Sequence, residues 1–301
     1  MKHPNYLFRS VTSLLLILFV LILAGCSIKS VPPADAICSS GGDVRFAVIG
    51  DYGSGSRHEW GVSELVKRWK PDFVTTVGDN NYPVGSPDTI DANIGRYYQE
   101  FISPYRGKYG PGAKVNRFFP IPGHRDWDTD ELATYLDYFE LPGNERYYDF
   151  VAGPVHFFMI DTDTREPDGA VVDSVQARWL KQRLQASTSP WKLVYASHAP
   201  YTSHTVEDIY RMRWPFAAWG ADALLSGYYH VYERLSIDGI PYFINGAGGS
   251  TVSYFGEIDP NSKVRYRDNF GAMLVTANKS TICFDYYNTW GKRIDSFSVR
   301  K

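Results

Sequence analysis

Residues 44–51 read VRFAVIGD and residues 71–80 read PDFVTTVGDN. Each is a short, almost unbroken apolar run, the composition of a strand buried on both faces, and each ends in Gly-Asp. Between them SRHEWGVSELVKRWK (56–70) carries helical spacing through Trp60, Leu65, Val66 and Trp69. Strand, helix, strand is the unit of a parallel α/β sheet. The same alternation continues outward. RFFPIPGHRD (117–126) reads as a third strand, and YYDFVAGPVHFFMID (147–161) as a hairpin turned at Gly153-Pro154. DSVQARWLKQRLQAS (173–187) is a helix with Asp173 as N-cap and Val175, Trp179, Leu180 and Leu184 on one face. WKLVYASH (191–198), a helical segment near 207–219 and ADALLSG (221–227) follow, and the chain then turns richer in antiparallel signals. This order fits one layered domain over residues 44–301.

Composition narrows the partners. The 301 residues carry 31 Lys plus Arg against 33 Asp plus Glu, so no basic surface invites a nucleic acid. Aromatic content is high, with 22 Tyr, 17 Phe and 8 Trp, most of it expected in packing.

The first residues read as an export signal. Lys2 and Arg9 precede the apolar run VTSLLLILFVLILAGC (11–26), which is too short for a membrane-spanning helix and ends in small residues. LAGC resembles the bacterial lipobox, which implies a signal peptide over 1–25, lipid on Cys26 and a tether over 26–43 whose Pro, Ser and Gly suit a linker. Ser27 after that cysteine is similar to the pattern of outer-membrane lipoproteins. The expected location is the bacterial cell envelope, on the outer membrane facing the periplasm. In such an oxidising compartment Cys38 and Cys283 can bridge or stay free thiols, and the sequence leaves both open.

Polar residues recur where strands stop. The first strand ends at Asp51 and the second at Asp79, with Tyr82 three residues on. The third ends at His124, Arg125 and Asp126, and later ones at His198 and at His230, in SGYYH (226–230). One aspartate after a glycine is an ordinary turn former and one histidine an ordinary surface residue. In an α/β sheet, however, the carboxyl ends of the strands open on one crevice. Two carboxylates, a phenol and three imidazoles are therefore expected to meet. Mixed oxygen and nitrogen donors suit iron, manganese or zinc. The glycines of GDYGSGS (50–56) lack the lysine of a phosphate-binding loop.

The ordered set GDYG, GDNNY, GHRD, SH before APY, and GYYHVYER followed by NGAGG resembles the calcineurin-like metallophosphoesterases over residues 44–250. The Tyr82 spacing is similar to that of the purple acid phosphatase branch. The resemblance implies a four-layer α/β/β/α sandwich, two metal ions (iron with iron, zinc or manganese) and hydrolysis of a small phosphorylated substrate. It implies that Asp51, Asp79, Tyr82 and His230 hold one ion, with Asp79 bridging to a second that His198 also holds. The chain departs from the family at that second position. His124-Arg125 stand where the family has Asn-His, and Tyr228 stands where it has a histidine. Either His124 and the Tyr228 oxygen rebuild the second site, or the protein is a mono-metal or non-catalytic binder of phosphorylated ligands. Arg125 stays protonated and cannot act as a general acid, but its fork suits a pair of phosphate oxygens; a salt bridge to Asp126 is its other expected use. The leaving-group proton is then expected from His204.

Overall fold

The computed structural model describes residues 42–204 and 210–301, together with Met1 and Cys38. The expected signal, Cys26 and most of the expected tether lie outside the described residues. The chain divides into a unit ending at Pro33 and a compact unit from Ala34 to Lys301, which concerns everything that follows. Among the described residues no helix is long and apolar enough to cross a membrane.

The compact unit is built on two mixed sheets. The first contains β1 (Val44–Ile49), β2 (Phe73–Thr76) and β3 (Phe118–Phe119) as parallel neighbours, and continues from β1 through β11 (Gly271–Ala277), β12 (Thr281–Asn288) and β13 (Arg293–Arg300), all antiparallel. The second runs in the order β10 (Ser262–Tyr266), β8 (Tyr232–Ile237), β9 (Ile240–Asn245), β7 (Ala223–Gly227), β6 (Trp191–His198), β5 (Val155–Met159), β4 (Tyr148–Ala152). Helix α1 (Arg57–Trp69) accompanies the first sheet. An irregular helical stretch over 91–101 contains α2 (Arg96–Tyr98), and α3 (Ala133–Tyr138) follows it. Helices α4 (Val175–Ala186) and α5 (Phe216–Trp219) cover the second sheet. This is the four-layer α/β/β/α sandwich.

Side-chain alternation explains how one strand serves two layers. On β5, Val155, Phe157 and Met159 enter the core between the sheets, while Phe158 packs with Leu180 and Leu184 of α4 in the outer core. On β6, Trp191, Leu193 and Tyr195 face inward, and Val194 and Ala196 outward. Aromatic rings stitch the sheets together. Phe46 of β1 meets Phe157 of β5 edge-on at 5.0 Å, and Tyr232 of β8 stacks on Tyr286 of β12 at 4.0 Å. The aromatic-rich composition is spent largely here.

Several local expectations are corrected. The third strand shrinks to two residues, because the backbone turns at Pro120 and again into a helical turn at His124–Trp127. The N-cap of α4 is Ser174, whose hydroxyl accepts from the Ala177 amide, and not Asp173. Val175 lies on its exposed side. In α1 Trp60 is 59% exposed, and the buried stripe is Val62, Leu65 and Val66. The start of α1 is fixed by Ser56, which accepts from His58 and Glu59, while Glu59 reaches back to the amides of Ser54 and Gly55 at 3.0 and 2.8 Å.

Cys38 and Cys283 form a disulfide across a sequence separation of 245. Such a bridge restricts the unfolded chain more the longer its loop. Replacing both cysteines by serine is therefore expected to lower unfolding free energy by about 2–5 kcal/mol. A denaturant titration checks this: reductant should reproduce the shift in the native protein and leave the double variant unmoved.

Candidate metal centre

The strand ends predicted to converge do converge. The two sheets are joined there by Asn245 Nδ2 donating to the Val48 carbonyl at 2.8 Å and by Gly248 N donating to the Gly50 carbonyl at 2.9 Å. Asp51 follows β1, Asp79 follows β2 and Tyr228 follows β7, and all three have positive φ (54°, 50° and 72°). Aspartate tolerates the left-handed region and tyrosine is rare in it, so the turn at Tyr228 is held by its surroundings. One tie is its own amide, which donates to Asp51 Oδ2 at 2.9 Å.

Asp51, Asp79 and His230 form a group whose ligand atoms all lie within 4.8 Å of one another, and it could hold a metal ion. The Tyr82 hydroxyl sits among them, 3.2 Å from Asp51 Oδ1, 3.2 Å from Asp79 Oδ2 and 2.9 Å from His230 Nε2. His230 Nε2 is 3.3 Å from Asp51 Oδ1, and its Nδ1 is bonded to the Thr251 hydroxyl, which fixes the ring's orientation. A phenol has one proton to offer, yet two carboxylate oxygens and a ring nitrogen face it. Burial and the Asp51 charge push Asp79 up to about 6. Burial and the same two carboxylates push the Tyr82 phenol well above its ordinary value. Burial opposes charge on His230, but the Asp51 hydrogen bond and the charges of both aspartates outweigh it and raise that imidazole. The four groups fit a cation: all of them could turn lone pairs toward it, and it would relieve the repulsion they share.

Close packing leaves no room for side chains around the carboxylates. A Cβ at Gly227 would come within 2.7 Å of Asp51 Oδ2, and one at Gly123 within 2.0 Å of the Asp79 amide nitrogen. Asp126 ties the two motifs together. It accepts from the Gly123 amide (2.8 Å), the Asn80 amide and Asn80 Nδ2 (2.8 Å), and is fully enclosed. Its role is therefore structural, and the expected Arg125–Asp126 pair does not form. The Arg125 side chain instead meets Asp128 (Nη1 to Oδ2, 3.3 Å), while its amide donates to Asp79 Oδ1 at 2.9 Å.

The other expected residues occupy a neighbouring position and do not join the first group. His198 Nδ1 is bonded to the Thr162 hydroxyl at 2.8 Å, and its ring is covered by Tyr228 with centroids 4.4 Å apart. Burial, aided by the Arg211 charge, pulls His198 down to about 3, so this imidazole is neutral. Tyr228 also meets His124 edge-on at 6.4 Å and thus stands beside both imidazoles. His124 Nδ1 is 3.1 Å from Asp163 Oδ2 and 3.2 Å from Arg165 Nη2, contacts that fix the orientation of its ring. His204 stacks on Tyr229, which in turn meets Tyr228 edge-on at 5.1 Å.

One strand end went unread in the sequence. β5 runs into Asp161-Thr162-Asp163, the same apolar-then-polar signal. Asp161 accepts from Trp127 Nε1 at 3.0 Å, and Arg165 grips Asp163 through Nε (2.7 Å) and Nη2 (2.8 Å) while Nη1 reaches Asp128 at 3.2 Å. This network fixes the turn that carries His124.

Solved structures resemble this arrangement over most of the chain. Purple acid phosphatase PPD1 from yellow lupin (Lupinus luteus) seeds is 16% identical with a TM-score of 0.66, covering 85% of this chain and 53% of that one. The fold is that of the metallophosphoesterases. GAP50, the anchor in the inner membrane complex of Plasmodium, is 15% identical with a TM-score of 0.67, covering 85% of this chain and 88% of its own. PhoD is 13% identical with a TM-score of 0.55, covering 86% and 70%. The chain spans about half the length of the lupin phosphatase. No protein-family model matches the sequence, and no curated protein does.

On this metallophosphoesterase scaffold, Asp51→Asn is expected to strip metal from the purified protein. His124→Ala should leave the metal-to-protein ratio unchanged. Elemental analysis decides; equal loss in both variants would return His124 to the ligands.

Proposed function

We propose that the protein holds one transition-metal ion through Asp51, Asp79, Tyr82 and His230 and hydrolyses esters of small phosphorylated compounds. The observation that carries this reading is the convergence of Asp51, Asp79 and His230 from separate strand ends onto one point. Two carboxylates and a phenol form a hard, anionic donor set suited to iron. When bound, the ion supplies Lewis acidity toward the phosphoryl group and activates a water. The chain's own residues do the rest. Asp51 and Asp79 fix the ion's place, Thr251 and Tyr82 orient His230, and the Arg125 amide holds the outer oxygen of Asp79. The Arg125 guanidinium, 44% exposed and paired among the described residues only with Asp128 at 3.3 Å, can turn its fork toward a substrate oxygen. The leaving group takes its proton from solvent along that open side, because His204 stands one ring behind Tyr228.

One ion is favoured over two by the Tyr228 ring lying on His198. The same observation favours a second reading, a mono-metal protein that binds phosphorylated ligands without turning them over. Metal-loaded protein is expected to cleave an aryl phosphate, and Asp79→Asn to lose both metal and turnover. No hydrolysis across pH and metal choice leaves the binding protein as the better account.

The location belongs to the same proposal. Lipid on Cys26 would hold the domain at the outer membrane facing the periplasm. Growth with a labelled fatty acid should label the protein, and Cys26→Ser should abolish the label.

A further inference from the structure

Several arginines of the domain are ion-paired with carboxylates, and one differs. Arg146, Arg165, Arg183 and Arg234 each pair with one or two carboxylates. Arg211 pairs with none among the described residues. It lies on the helical turn Tyr210–Met212, pinned by the fully buried Met212, and is half-buried. The guanidinium's one hydrogen bond runs from Nη1 to the Thr162 carbonyl at 2.9 Å.

That partner locates it. The Thr162 hydroxyl is bonded to His198 Nδ1 at 2.8 Å and accepts from the His198 amide at 3.0 Å. Arg211 and His198 therefore hang from the same residue at the end of β5, and the Tyr228 ring lies against His198. Burial lowers the Arg211 guanidinium from its ordinary value, against the charges of Asp163 and Tyr228. Five N–H donors on a planar fork, one of them used among the described residues, make a group built to take oxygens in pairs. The two carboxylates that act on it do so from a distance, so a half-buried cation with no carboxylate in contact among the described residues favours a further anion.

We propose that Arg211 is a second phosphate-binding group of this centre, beside Arg125, taking phosphoryl oxygens of substrate or of released inorganic phosphate on the side where Tyr228 covers His198. A fixed guanidinium then supplies the positive charge that a second metal ion would bring. The inference deepens the phosphoesterase reading and rests on it for the identity of the anion. Tyr228 has two tasks in it: its amide holds Asp51, and its ring closes the path between the metal centre and His198.

The test titrates inorganic phosphate into the full-length protein by calorimetry, metal-loaded and metal-stripped, alongside Arg211→Gln and Arg211→Lys. Arg211→Gln is expected to weaken phosphate binding about tenfold or more with metal content unchanged. Arg211→Lys, which keeps the charge without the fork, should fall between; it carries the test if the glutamine variant does not fold. A loss confined to the variants in the metal-stripped protein supports the inference even where the metal reading fails. Wild-type affinity in both variants with metal retained overturns it and leaves the metal reading standing. A wild-type protein that binds no phosphate in either state also overturns it.

Discussion

Two buried carboxylates held side by side are the constraint around which this molecule is arranged. Asp51 and Asp79 end adjacent parallel strands, so the 4.8 Å spacing of the sheet sets their approach before any side chain turns. Like charges at such a distance repel, and burial strengthens the repulsion. The surroundings answer with donors: the Tyr228 amide on Asp51, the Arg125 amide on Asp79, and Tyr82 between the two. Each comes from a different strand end, so the whole upper surface of the sandwich is organised to keep two anions together. A structure that assembles this repulsion inside a core has a use for a cation there.

The neighbouring position follows the opposite logic. His198 is neutral and covered, His124 is engaged with Asp163, and the positive charges are guanidinium groups of Arg165, Arg211 and Arg125. Tyr228 lays an apolar ring on His198 there. Arginines need no coordination geometry and stay protonated, so they can hold positive charge where ligands are missing. One half of the centre is thus a nest of lone pairs and the other a fringe of N–H donors.

Much of this was legible in the chain. Strands such as VRFAVIG and WKLVYASH announce themselves by composition, and the rule that strand ends share a crevice was enough to bring Asp51, Asp79, Tyr82 and His230 together. What stayed hidden depends on pairs far apart in sequence. Nothing near His124 shows that Asp163 and Arg165, some forty residues on, will occupy its ring nitrogen. Arg125 was expected beside Asp126, but that carboxylate is consumed by backbone amides and Asn80, leaving Asp128 as the partner. Trp60 fits a helical stripe by spacing, yet it is the stripe through Val62, Leu65 and Val66 that meets the core. Arg211 had no local signal: its environment is made by the carbonyl of Thr162, in the turn after β5.

The disulfide has a mechanical consequence. Cys283 lies near the start of β12 and pairs with Thr276, one residue from the Ala277 that faces Val44, so the bridge sits at the floor of the first sheet, opposite the metal centre. A pull on the chain ahead of Cys38 does not run into β1. It crosses the sulfur atoms into β12, and everything between the two cysteines becomes a closed loop that carries no tension. Asp51, at the top of β1, is seven residues past the first residue of that strand and just the kind of position a tug on the leading segment would otherwise disturb. The covalent link acts as a strain relief, isolating the alignment of the two carboxylates from any load on the chain ahead of Cys38.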